Sequence, residues 1–176
     1  MSIWLLRRCI LGLVLSVATY AQEQAVCPLI AAKNGDMVML KGEAVHGAHD
    51  GLVRLTGCTD EVLLGYADDP SISEPKPTLK RDEMFRRFRE YFNAEQPAQR
   101  NAICQGCWKY RVTAEFEGRL DITDSAGLKK DPKTGKVTGF VGFGHPMPFT
   151  RYRLVIAKVS NVETVERAVM PLPEKR

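Results

Sequence analysis

Residues 110–122, YRVTAEFEGRLDI, alternate apolar and polar side chains without a break. Tyr110, Val112, Ala114, Phe116, Gly118, Leu120 and Ile122 fall on one side, and Arg111, Thr113, Glu115, Glu117, Arg119 and Asp121 on the other. A period of two held over thirteen residues specifies an extended strand, because successive strand side chains point to opposite faces. One face is expected to be buried and the other to meet water. Gly118 is expected to mark a bend, since glycine inside a strand permits sharp coiling.

The rest of the chain supplies partners for this strand. Residues 36–47 read as a strand with Val38, Leu40, Gly42 and Ala44 on one face. An Asp-Gly turn signal separates it from a second strand at 52–58, and a third follows at 61–68. Pro70, Pro75 and Pro77 make the next segment a loop. Thr78 is the expected cap of a helix through residues 79–92. Met84, Phe85, Phe88, Tyr91 and Phe92 form its apolar stripe, and Arg81, Arg86, Arg87 and Arg89 fall largely off it as a solvated face. After the long strand, residues 123–139 read as a polar loop, and residues 151–163 as the closing strand.

Three strands, a helix and two strands is the order of the OB-fold, a five-stranded Greek-key barrel. The expected fold is therefore mainly β: a small OB-like barrel with one amphipathic helix between strands 3 and 4. The barrel domain is expected at 36–166, after a signal peptide at 1–21 and an irregular lead-in at 22–35, with a flexible tail at 167–176. The stretches FEGRLDI and GFGHPMPFTRYRLVIAKVSNVE also resemble a group of small exported bacterial proteins of unknown function. Gly118, Arg119, Leu120, Gly144, His145, Arg153 and Leu154 carry that resemblance, which implies no activity.

The compartment is read from the N-terminus. Arg7 and Arg8 precede an apolar run from Cys9 to Val17, and small residues follow at Ser16, Ala18 and Ala21. This is the plan of a secretory signal peptide, and the run is shorter than the roughly 20 residues a membrane span needs. The expected location is periplasmic or secreted, with no transmembrane span after cleavage. Removing Arg7 and Arg8 from 25 basic residues leaves 23 against 21 acidic ones. So nearly balanced a charge argues against nucleic acid as a partner.

Five cysteines minus Cys9 leave Cys27, Cys58, Cys104 and Cys107. An even number in an oxidising compartment favours disulfides. In an OB-like barrel the end of the second strand lies near the start of the first. A Cys27–Cys58 bridge is expected on that ground, with Cys58 to Cys104 or Cys107 as the competing pairing. The alternative for the CQGC pair is zinc: with His46 and His49 of HGAH, Cys104 and Cys107 would supply two imidazoles and two thiolates. Redox catalysis fits less well, because the pair precedes a strand instead of opening a helix.

In GFVGFGHPMPF, glycine amides could approach an anion and His145 could act near neutral pH. Its bland reading is a turn that shapes the barrel rim. His145 and Arg119 are the candidate ligand contacts, and Asp121 or Glu163 the possible acid partners of His145. Arg111, Arg119 and Glu115 suggest a mixed-charge face on the long strand. The OB-type binding face offers mainly Arg54 and Tyr66. No GxSxG, HExxH or phosphate loop occurs. The function these features favour is a non-catalytic binding or scaffolding module of the cell envelope. Its partner would be an envelope protein, peptide or glycan, and it would need no cofactor. The alternative is a zinc-binding or thiol-active protein.

Overall fold

The computed structural model describes residues 26–46, 51–94, 108–144 and 149–167. The chain order is β1 (Met37–His46), β2 (Gly51–Leu55), β3 (Glu61–Gly65), α1 (Glu83–Phe92), β4 (Tyr110–Ile122), β5 (Gly127–Lys130), β6 (Val137–Val141) and β7 (Tyr152–Glu166). Five of the strands close a barrel in the order β1-β2-β3-β7-β4. The β3–β7 pair is parallel and the other four are antiparallel. With the β5–β6 hairpin set aside as an insertion, this is the OB-like arrangement expected from the element order.

Leu40 and Ala44 of β1, Val53 and Leu55 of β2, and Val62 and Leu64 of β3 point into the barrel. They meet Val112, Ala114, Phe116 and Leu120 of β4 and Leu154, Ile156, Val159 and Val162 of β7. Burying a large aliphatic or aromatic side chain of this kind contributes about 1.5–3 kcal/mol. Helix α1 closes the barrel with its apolar stripe. Phe88 and Phe92 stack at 5.2 Å, and Phe88 meets Phe116 edge-on at 5.2 Å. The lead-in contributes as well, because Leu29 of the 3₁₀ turn Pro28–Ile30 joins the core.

Strand β7 has fifteen residues to the thirteen of β4, with which it pairs along its whole length. The two extra residues appear as register shifts opposite Thr113/Glu115 and Glu117/Gly118. Such bulges bend and twist a strand, as barrel closure requires. Asn161 takes φ 50° at one of them. At the other, a Cβ on Gly118 would lie 2.2 Å from the carbonyl oxygen of Val155, so only glycine lets the backbones approach. At Gly118 the glycine thus serves the close approach of β7, whose extra residue there is Ala157.

Four local expectations are corrected. The helix begins at Glu83, and its cap is Asp82, whose Oδ1 accepts from the Phe85 amide at 3.1 Å. Thr78 is not the cap: the segment before the helix runs along β7, where the Lys80 amide donates to Ala157 at 2.7 Å. The second strand stops at Leu55, and Thr56 to Cys58 form a turn. Residues 123–139 are not all loop, because they contain β5 and most of the β5–β6 hairpin. Arg119 and Asp121 point out of the barrel yet are buried, at 7% and 9% exposure, under the loop that follows β3.

Candidate binding groove

Cross-strand register builds one continuous rung on the outside of the barrel. Glu61 of β3 pairs with Arg54 of β2, Arg54 with Glu43 of β1, Glu43 with Thr113 of β4, and Thr113 with Glu163 of β7. Arg54 donates to Glu61 from Nε at 3.1 Å and from a terminal nitrogen at 2.7 Å. Glu43 is gripped by Arg111, through Nε at 3.2 Å and a terminal nitrogen at 2.8 Å, and Arg167 stands 3.6 Å away. The Arg111 hydrogen bond, opposed by desolvation, holds the Glu43 carboxyl below its ordinary range, with the charges of Arg111, Arg167 and Arg54 assisting. The same contact raises Arg111.

Two clefts flank Arg54. One, of about 380 Å³, is lined by Lys41, Gly42, Glu43, Arg54, Leu55, Thr56, Arg111 and Thr113. The other, of about 340 Å³, is lined by Arg54, Cys58, Thr59, Asp60, Glu61, Phe149 and Thr150. Arg54 is a wall of both, and its side chain is 61% exposed, as is that of Arg111. Exposed ion pairs of this type contribute little to stability, about 0–1 kcal/mol. Arg54 can therefore exchange the Glu61 carboxylate for a ligand at small cost, whereas the Glu43 carboxylate, 20% exposed, keeps Arg111 in place. The groove offers donors and acceptors side by side, which suits a polar ligand carrying both.

The disulfide forms one end of this surface. Cys27 and Cys58 are bridged, with their Cα atoms 4.8 Å apart, across a separation of 31 residues. The competing partners Cys104 and Cys107 lie outside the described residues, as do His49, His145 and residues 1–25. Of the proposed zinc ligands, His46 is described. Its ring is stacked between Phe92 at 3.7 Å and Trp108 at 3.5 Å, and its Nε2 donates to the Phe92 carbonyl. Burial pushes the His46 imidazole down, partly offset by that carbonyl. Among the described residues no group of three or more His, Cys, Asp or Glu side chains is placed to hold a metal.

Arg119 serves a different end from the groove. Its Nε donates to Asp121 Oδ1 at 2.8 Å and a terminal nitrogen reaches Oδ2 at 3.2 Å. Its other terminal nitrogen donates to the carbonyls of Ser73 and Pro75. Arg153 binds the same carboxylate, donates to Ser71 Oγ at 3.3 Å, and lies 4.5 Å from the Phe143 ring centroid. Two guanidiniums and one carboxylate thus hold the loop after β3 against β4 and β7. Tyr66 lines neither cleft; its hydroxyl accepts from Arg89 at 3.2 Å. Lys41, Glu43, Glu61 and Thr113 escaped the sequence reading as groove residues, because only the pairing register brings them beside Arg54.

No family model, curated protein or solved structure matches the chain. Among the described residues, no helix is long and apolar enough to cross a membrane. That fact and the disulfide are compatible with an extracellular location.

Proposed function

We propose that this chain is an exported, non-catalytic binding or scaffolding module of the cell envelope that takes a peptide or glycan in the groove around Arg54. The observation that carries this reading is the rung Glu61–Arg54–Glu43–Thr113, in which the exposed Arg54 is a shared wall of two adjoining clefts that the other rung residues help to line. The position agrees with OB-like barrels generally, which bind along strands 2 and 3 and the neighbouring loops. That agreement is an analogy of fold.

A photo-reactive residue placed at Thr56 in the groove, with one at Glu90 on the exposed helix face as control, tests the reading in the producing cell. Both positions are exposed. A discrete covalent adduct is expected from Thr56 and not from Glu90, in the envelope fraction, and R54A should abolish it. Equal labelling from both positions, or none from Thr56, would count against the groove.

One observation favours the zinc or thiol reading as a second possibility. Trp108, which follows Cys107 in the chain, stacks on His46. Since His46 Nε2 donates to Phe92, Nδ1 is the ring nitrogen that a metal would take. Zinc bound by the purified protein and lost in C104S/C107S would support this reading.

A further inference from the structure

Among the described residues, strands β5 and β6 pair with each other and with no barrel strand, so they form a two-stranded arm apart from the barrel sheet. A Cβ added at Gly127, Gly135 or Gly139 would meet nothing within 4 Å. The arm, residues 127–141, holds Lys129, Lys130, Lys133 and Lys136 against one acid, Asp131, for a net charge of 4 − 1 = +3. Asp131 serves the turn, where its Oδ1 accepts from the amides of Lys133 at 2.8 Å and Thr134 at 2.7 Å. Among the described residues no ion pair involves the four lysines.

The arm is apolar as well as basic. Leu128 and Phe140 are direct cross-strand partners and so share one face. They are 51% and 53% exposed, and Val137 is 53% exposed. An isolated two-stranded hairpin has no core of its own in which to bury such residues.

We propose that this hairpin is a membrane-docking arm: Leu128 and Phe140 enter the interface of an anionic bilayer, and Lys129, Lys130, Lys133 and Lys136 engage its headgroups. The pairing of an apolar face with uncompensated lysines matches the two contributions that hold peripheral segments on acidic lipid. A second copy of the arm is a poor partner, because its lysines would repel these. A nucleic acid would use the lysines but leaves the Leu128–Phe140 face without a role. The inference rests on the envelope reading, which brings a lipid surface within reach. It is read on purified protein and stands or falls apart from the groove experiment.

The test uses the processed form, residues 22–176, in sedimentation with vesicles of phosphatidylcholine alone or mixed with phosphatidylglycerol. Binding is expected to the mixed vesicles and not to the neutral ones, and to weaken with salt. L128S/F140S should weaken it about tenfold or more. K129Q/K130Q should weaken it about fivefold per lysine. Because the arm lies outside the barrel, both variants should keep the parent melting temperature. Three results would overturn the proposal: no binding, equal binding to neutral vesicles, or L128S/F140S binding as tightly as the parent. The last would mean a general polyanion contact without insertion.

Discussion

Asp121 of β4 and Arg153 of β7 are register partners, and Arg153 places Nε 3.1 Å and a terminal nitrogen 2.8 Å from the same oxygen, Asp121 Oδ2. Arg119 holds the carboxylate from the other side. Removing the carboxylate leaves two guanidiniums buried together with no counter-charge. D121A is expected to lose about 3–5 kcal/mol of stability in urea unfolding. Replacing all three residues with apolar ones of similar volume should cost less than D121A alone. A triple variant less stable than D121A would show that the loop needs the charges themselves.

The Cys27–Cys58 bridge closes a loop of 31 residues in sequence. In the chain-entropy model such a crosslink contributes about 3–4 kcal/mol. C27S/C58S should unfold at correspondingly lower denaturant concentration, and reduction of the parent protein should give a similar loss. Unchanged stability after reduction would contradict this.

Glu43 supplies a pH signature. Its folded pKa lies below the ordinary 4.5, chiefly because Arg111 donates to it. The folded state therefore binds its proton less readily than the unfolded state. The stabilisation is complete above pH 4.5 and is lost as pH falls through the lower folded value. E43Q lacks it at every pH. The gap in unfolding midpoint between parent and E43Q should be constant from pH 7 to pH 5 and close toward pH 3. A gap that persists at pH 3 would mean Glu43 acts by packing.

Two glycines give a paired prediction. G118A would drive a Cβ to 2.2 Å from the Val155 carbonyl oxygen, whereas G139A meets nothing within 4 Å. Overpacking of this kind costs about 1–3 kcal/mol or more. G118A should melt well below the parent or fail to fold, and G139A should melt with it.

The long strand was legible because its alternation is a local property: β4 spans Tyr110–Ile122, the residues the pattern marks. The barrel order was legible only through the order of the elements, three strands, a helix and two strands, which is that of an OB-fold. The burial of Arg119 and Asp121 was not legible. Their outward direction is local, but the cover comes from Ser73 and Pro75, more than forty residues away. The helix start is not legible in the sequence because Thr78 and Asp82 are both good caps, and the Lys80–Ala157 hydrogen bond decides between them. The β5–β6 hairpin was hidden by lysine, proline and glycine, which read as loop. The groove depends on register across four strands, β1 to β4, and side-chain periodicity within each strand does not supply it.

The most direct measurement is the intact mass of the protein recovered from the envelope of an expressing cell, alkylated after denaturation with and without reduction. The expected result is a chain that has lost the segment before residue 19 or 22, with Cys27 and Cys58 protected from alkylation until reduced. A chain that retains residues 1–21 and alkylates at Cys27 and Cys58 without reduction would contradict an exported, stapled barrel.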